Sequence, residues 1–451
     1  MTAATTIPRT VFGEPRAVAY LAFTEAWERF SYYGMISILV LYMSQALLLP
    51  GRIEHVVGFA TFRAVLEAVF GRMSTVALTS QIYGLYSALV YFTPVFGGLI
   101  ADRWLGRRNA VVLGAVLMSL GHLAMAFDAS FLLALLLLIV GCGLLKGNIS
   151  TQVGSVYAED DAAGRTRGYA IFSTGINVGA VAGPIVCGYL ADRFGWHAGF
   201  GFASILMLIG LATYLAGYRE LSEAQHSAPA AVTAKVPLTR AQLRTIAALI
   251  AVMGITIFHS IAYSQNGNMA IYWVNAKVDL DILGFHVPPE WFNSIDSLVS
   301  IVVVPFLFML WRWQARHGGE PDEIAKIGAG ALMSSIANLI LVAGSAAYSR
   351  VPVLIPVAYD FVLGVAFLYY WPTLLALVSR AAPPQIKATM MGIALLTLFL
   401  ANFAVGWIGS FYERLTQPQF WAIHAAIGAM GSVLAFTLRR PLMRILDAAD
   451  V

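Results

Sequence analysis

Apolar residues occupy this chain in long, nearly unbroken blocks. Twelve such blocks predict helices over residues 17–49, 77–101, 109–127, 130–153, 168–190, 197–217, 244–274, 290–311, 326–347, 352–379, 388–410 and 419–438. About 20 apolar residues in a helix cross the hydrocarbon core of a bilayer, so these blocks read as membrane spans. The longer blocks leave room for tilt or kinks but fix no angle. One stretch behaves differently. Between Pro50 and Thr75, the residues Val56, Val57, Phe59, Phe62, Val65, Leu66 and Val69 recur at helical spacing. They predict a short amphipathic interfacial helix, packed on the protein's own rim.

Composition strengthens the reading. Of 451 residues, 59% are hydrophobic and only 12% charged, where a soluble domain carries roughly 25% charged residues. Length alone would suggest two or three soluble domains, and the apolar blocks override that. The net charge of +4 is not a nucleic-acid signal, because the bases gather in loops on one side. That side holds Arg9, Arg16, Arg103, Arg107, Arg108, Arg165, Arg167, Arg219, Lys235, Arg240, Arg244, Arg312, Arg316, Lys326, Arg380, Lys387, Arg439, Arg440 and Arg444. The other holds Arg52, Arg63, Arg72, Arg193, Lys277, Arg350 and Arg414. A ratio of 19 to 7 predicts an inner-membrane protein with both termini cytoplasmic. The first block is too long for a signal-peptide core and reads as a retained helix. Cys142 and Cys187 lie in apolar runs, read as small buried hydrophobes, and no metal-ligand spacing is present.

The longest polar linker, rich in Ser, Ala, Pro and Gln, runs from about Arg219 to Arg240. It predicts a cytoplasmic tail over 1–16, a six-helix bundle over 17–217, a linker over 218–243, a second six-helix bundle over 244–438 and a tail over 439–451. After the second block stand Gly97, Gly98, Asp102, Arg103, Gly106, Arg107 and Arg108. Glycines there permit close helix packing. This pattern resembles the loop of the major facilitators, which implies an all-α membrane protein with twelve helices in two bundles around a central cavity. A shorter echo, Gly188 to Gly195, reads as a packing turn.

Ionisable groups inside spans are costly and point to function. The densest cluster is Glu25-Ala26-Trp27-Glu28-Arg29-Phe30-Ser31-Tyr32-Tyr33-Gly34. Glu25, Glu28, Arg29, Tyr32 and Tyr33 share one broad helical face, and Glu25 lies about 12 Å along the helix from its start. Lipid cannot accept that face, so it belongs in a polar cavity. A salt-bridged clamp between helices is the plainer alternative, but a clamp has no need of two acids beside one base.

This cluster resembles the helix-1 motif of the proton-coupled oligopeptide transporters. Three further stretches are similar to that family: Tyr91 within Ala88–Pro94, Lys146 within Gly143–Ser150, and Asn177 within Gly175–Gly179. The resemblance implies Glu25 and Glu28 as proton carriers beside Arg29. It implies Lys146 as the holder of a substrate carboxylate, a task suited to a compact ammonium. Tyr32, Tyr33, Tyr91 and Asn177 would line the pocket and orient the substrate. If substrate draws Lys146 away from a glutamate, that glutamate loses a cation and takes up a proton, so binding and protonation are linked.

The second half departs from the family pattern. Ile36 stands where an arginine is usual, and Ser264 and Gln265 where an acid is usual. Losing both members of a charge pair strands neither. His259, mid-span, could titrate in their place, though a satisfied core histidine is the plainer reading. Phe367, five residues before Pro372, replaces a glutamate that receives the peptide amine, Trp371 replaces a serine, and Ala394 replaces a tryptophan. Two acids could compensate. Asp296 stands where the family has asparagine and is expected to hold a substrate amine. Asp360, two turns before Phe367, is expected to be solvated, with an accessory titrating role as the alternative.

The leading expectation is a proton-driven symporter that imports di- and tripeptides. It would use no cofactor and no metal beyond the proton gradient itself, work as a monomer in lipid and bind no nucleic acid. A relative carrying another zwitterionic or anionic solute is the alternative favoured by Phe367, Trp371 and Ala394. A membrane enzyme is disfavoured, because the chain lacks Gly-x-Ser-x-Gly, His-Glu-x-x-His and a nucleotide-binding loop. A non-transporting receptor would have no use for the helix-1 charge cluster.

Overall fold

The computed structural model describes residues 10–11, 13–158, 161–221 and 238–448. Most of the expected linker, the first nine residues and the last three lie outside the described residues, as do Arg9 and Lys235. The described chain is almost wholly helical. Its only strands are two short hairpins, β1 (Thr10–Val11) with β2 (Glu14–Pro15), and β3 (Asp281–Ile282) with β4 (Phe285–His286).

The helices are α1 (Arg16–Tyr42), α2 (Phe59–Phe70), α3 (Thr75–Ile100), α4 (Arg107–Ala124), α5 (Phe131–Ser155), α6 (Ala162–Phe194) and α7 (Trp196–Gly217). There follow α8 (Arg240–Ser264), α9 (Ile271–Lys277), α10 (Ile295–His317), α11 (Glu323–Ala347), α12 (Leu354–Ala381), α13 (Lys387–Gly409) and α14 (Gln417–Asp447). Caps written in the sequence start several of them. Thr239 with Gln242, and Thr416 with Gln419, form reciprocal capping boxes for α8 and α14. Asp322 accepts from the Ala325 amide at 2.8 Å to open α11.

Among the described residues, eleven helices are long and apolar enough to cross a membrane. The expected block 109–127 forms α4, of 18 residues, which begins on Arg107, Arg108 and Asn109 and is not among these eleven. The block expected as one helix over 244–274 is broken. α8 stops at Ser264, a π-turn covers Asn266–Ala270, and α9 resumes at Ile271. Gln265 makes the break orderly by donating from Nε2 to the Val405 carbonyl at 3.1 Å. α2 is the amphipathic helix that the apolar spacing predicts, with Phe59 and Leu66 buried and Val65 and Val69 exposed.

The chain separates into two compact units. One draws its described residues from Met1–Ile36, His55–Val57 and Thr93–Ala231, the other from Ser37–Glu54, Gly58–Phe92 and Val232–Val451. Helices α1 and α3 are therefore each divided between the units.

In the first unit, α6 lays Gly175, Gly179 and Gly183 along α1. A Cβ on them would lie 2.7 Å from the Ala22 carbonyl, 2.6 Å from the Ala26 carbonyl and 2.6 Å from the Phe30 carbonyl, respectively. Only glycine allows this approach, the small-residue contact favoured between membrane helices. In the second unit the first half of α3 is fastened to α13. Ser80 Oγ donates to the Gly406 carbonyl at 3.0 Å, Asn268 Nδ2 donates to Ser80 Oγ at 2.8 Å, and Ser74 donates to Glu413.

β2 is anchored within the first unit by Glu14, which accepts from Tyr157 Oη at 2.8 Å and from Arg167 Nε at 2.5 Å. The Arg167 and then the Tyr157 hydrogen bonds hold the Glu14 carboxyl below its ordinary value of 4.5. A carboxyl lowered by folding contributes stability above its ordinary range, and the contribution fades as pH falls through the lowered value. Protection factors of the β1–β2 amides, corrected for the intrinsic pH dependence of exchange, should therefore be high at pH 7 and fall as the medium is acidified below the ordinary glutamate range. Glu14→Gln should show the low protection already at neutral pH.

The α1–α6 contact supplies a second prediction. Gly179→Val forces a branched side chain into the α1 backbone and should cost about 1–3 kcal/mol. Its detergent-solubilised melting temperature should drop by several degrees, while Gly98→Ala, where a Cβ meets nothing within 4 Å, should match the parent.

Candidate functional site

The first unit holds the cluster on α1. Glu25, Glu28 and Arg29 are 3%, 0% and 3% exposed, so all three charges are inside the protein. The Arg29 guanidinium is forked onto Glu28, with Nη2 donating to Oε1 at 2.6 Å and Nε donating to Oε2. The same Nε lies 3.1 Å from Glu25 Oε1, and the guanidinium stands 5.2 Å from the Tyr32 ring centre. The two carboxylates are thus held unequally. Glu28 is saturated by a bidentate pair. Glu25 has one oxygen beside Arg29, while its Oε2 is buried without a hydrogen-bond partner.

Lys146 on α5 is half-buried and, after Arg29, is the second cation whose charge reaches Glu25. It also acts on Cys142, one turn earlier on the same helix. The glycines of α6 press against the backbone of the segment that carries Glu25, Glu28 and Arg29, so the height and rotation of the cluster are set by helix contact. Tyr33 packs edge-on to Tyr32 with ring centres 5.3 Å apart, and Asn177 is exposed on α6.

The second unit holds the other expected residues. Asp296 on α10 is 8% exposed and accepts three hydrogen bonds, from Tyr263 Oη at 2.5 Å, the Ser297 amide at 2.6 Å and Ser297 Oγ at 3.3 Å. Phe367 stacks on Tyr263 with ring centres 5.8 Å apart. The ring at the position of the family's glutamate therefore touches the phenol that donates to Asp296. Tyr263 is the residue that sequence reasoning missed. A tyrosine one turn after His259 in an apolar block carries no signal of its own.

His259 is fully buried, with Nδ1 3.1 Å from Ser334 Oγ and its ring 4.1 Å from that of Tyr370. Tyr370 in turn shares a 2.7 Å hydrogen bond with Ser260. Tyr91 is half-buried on α3, within electrostatic reach of Tyr370. Trp371 packs on Tyr370, Ala394 is fully buried in the same apolar cluster, and Ile36 is half-buried. Asp360 differs from its expectation. It is 1% exposed rather than solvated, because α12 turns that face toward Trp273, Phe292 and Leu341 instead of outward.

The Major Facilitator Superfamily profile matches residues 21–406, and the chain belongs to that superfamily. A di-/tripeptide transporter of Lactococcus lactis subsp. cremoris is 26% identical, covering 97% of this chain and 98% of its own. An uncharacterised transporter, YclF, of Bacillus subtilis is also 26% identical, covering 96% of each. Among solved structures, the peptide transporter POT in complex with sulfate superposes with a TM-score of 0.86 at 24% identity, covering 98% of each chain. A POT family transporter bound to 5-aminolevulinic acid gives 0.83 at 23%, covering 97% of this chain and 99% of its own. The names of these relatives and neighbours include di-/tripeptide and POT family transporters. The chain is an integral membrane transporter and not an enzyme.

Removing the one strong cation from between two buried acids is the severest test of the cluster. Arg29→Gln leaves uncompensated buried charge and should cost about 3–5 kcal/mol, read as loss of monodisperse protein on size exclusion. Glu25→Gln, which keeps the Glu28–Arg29 fork, should purify normally.

Proposed function

We propose that this chain imports short peptides together with protons, by alternating access across the inner membrane, with both termini cytoplasmic and the monomer as the working unit. The observation that carries the reading is the unequal grip on the two α1 carboxylates. Glu28 is locked by Arg29. Glu25 keeps an unpartnered oxygen and feels the charge of Lys146. Glu25 is then the carrier whose protonation changes, and Lys146 the ammonium that takes the peptide carboxylate. When substrate draws the lysine charge away, the Glu25 anion loses support and binds a proton, and the two bindings strengthen each other by equal factors. Tyr32, Tyr33, Tyr91 and Asn177 offer hydroxyl and amide groups to the peptide backbone.

Asp296 is the acid for the peptide amine. Phe367 cannot hold an ammonium by charge, but through Tyr263 its ring is one contact away from the Asp296 carboxylate. This displaced acid also supports a second reading, a zwitterionic solute other than a peptide. The peptide reading has the named relatives on its side.

The test is uptake of labelled dialanine and trialanine into proteoliposomes under an inward proton gradient. Parent protein should accumulate both, Glu25→Gln should lose gradient-driven uptake, and Lys146→Ala should lose binding of peptides with a free carboxylate. A folded parent protein that accumulates neither peptide refutes the proposal.

A further inference from the structure

Asp360 and Asp296 form an unequal pair of buried acids in the second unit. Their helices cross tightly. Gly364, one turn after Asp360, sits where a Cβ would lie 2.6 Å from the Asp296 carbonyl and 2.8 Å from Val299 Cβ. Ser300 Oγ donates to the Gly364 carbonyl at 3.2 Å across the same crossing. Asp360 feels the charge of Asp296 and of no cation, and among the described residues neither carboxylate has an ion-pair partner.

Asp296 is dressed as an anion, with three donors. On Asp360 the Oδ1 oxygen is buried without a hydrogen-bond partner among the described residues, and so is the Tyr359 hydroxyl beside it. Both residues line a narrow crevice with Asn266, Trp273, Phe292 and Leu341, and that crevice has no room for a water molecule. An ionised carboxylate left there without water or donors costs several kcal/mol, and a second negative charge close by adds to the cost. A proton is the one ligand that removes the charge and needs no volume.

The nearest titratable groups on the elements packed around the pair are tyrosines, histidines and one further buried acid. Tyr263 and His259 come from α8, Tyr359 from α12, Glu290 from the turn packed against α12, and His424 from α14, where Trp421 faces Tyr359. α11 brings its charges only in its first turn. There Glu323 pairs with Arg380, about 30 Å along α12 from Asp360 at 1.5 Å per residue. The base on α13, Lys387, is likewise at that helix's start.

We propose that Asp360 is a second proton-carrying residue of this chain, sharing one proton with Asp296 across the α10–α12 crossing. While the proton rests on Asp360, Asp296 stays ionised and available to a substrate ammonium. When it leaves, two buried anions face each other and the ammonium site is weakened or the proton is recaptured. The proton moves between carboxylate oxygens and the exit path, with no other bond made or broken.

The pairing can be tested without reference to any substrate, while its transport consequence rests on the proton-coupled reading. Infrared spectra of the reconstituted protein at pH 7 should contain the carbonyl stretch of a buried protonated carboxyl. Asp360→Asn, nearly isosteric, should remove it, and Asp296→Asn should keep it. A band unchanged in Asp360→Asn overturns the assignment, whether or not peptides are transported.

In proteoliposomes, Asp360→Asn should lower proton-driven accumulation by about tenfold or more, within the usual range of coupling between two ligands. It should also flatten the pH dependence of peptide half-saturation, and Asp360→Glu should restore part of both. Accumulation and pH profile equal to the parent's would reduce Asp360 to a structural residue. Sodium dependence of accumulation that disappears in Asp360→Asn would replace the proton with a metal cation and overturn the proposal. Failure of the peptide reading looks different, since the parent then moves no peptide while the infrared comparison still decides the pairing.

Discussion

The chain depends on placing a guanidinium and two carboxylates inside a membrane helix without stranding any of them. Each buried ion carries a desolvation cost of several kcal/mol, recovered only by close and well-oriented partners. Arg29 supplies the partners by forking onto Glu28 and touching Glu25 with the same nitrogen. Such a triad tolerates little drift, and α6 removes the drift. Its glycines at 175, 179 and 183 bring helix backbone against helix backbone over the charged turns. Cys187 continues the stripe against Gly34, where a side chain on the glycine would overlap the sulfur. The packing is steric, but its consequence is electrostatic, because it holds the arginine where two acids can use it.

The compact units cut through two helices rather than falling only at the polar linker. α3 passes from one unit to the other between Phe92 and Thr93, just before Pro94. A proline removes one backbone hydrogen bond and loosens a helix at that turn. On one side of this point α3 is fastened to α13 through Ser80 and Gly84. On the other, Thr93 donates to the Ile139 carbonyl at 3.0 Å and Gly97 lies against Gly143 of α5. The same helix therefore serves two packing partners, with its weakest turn at the change.

Much of this architecture was legible in the residues. Long apolar blocks set the helices, and the Glu25–Gly34 face announced a polar interior. Two kinds of feature were not. The π-turns at Met43–Leu47, Ala101–Leu105 and Asn266–Ala270 were one, because apolar periodicity is blind to a single-turn change of helical pitch. Burial of single polar residues was the other. Asp360 near a helix start reads as solvated, because sequence position measures distance from the helix end and says nothing of which neighbour covers the face. Tyr263 was silent for the same reason: its part depends on Asp296 and Phe367, which come from two other helices.

The departures at Phe367, Trp371 and Ala394 look, taken singly, like erosion of a binding site. Together with Asp296 and Asp360 they read as relocation. A lone glutamate at the Phe367 position would add a third carboxylate beside Tyr263 and within a turn or two of both aspartates. Three buried acids with no lysine or arginine among them cannot all be ionised, and each added proton raises the cost of charging the set. An aromatic ring at 367 avoids that conflict and gives Tyr263 a surface to stack on, which aims its hydroxyl at Asp296. On the proposed reading, the acid at 296 and the ring at 367 therefore belong to one arrangement around Tyr263. A glutamate at 367 alone would compete with Asp296 for the same phenol.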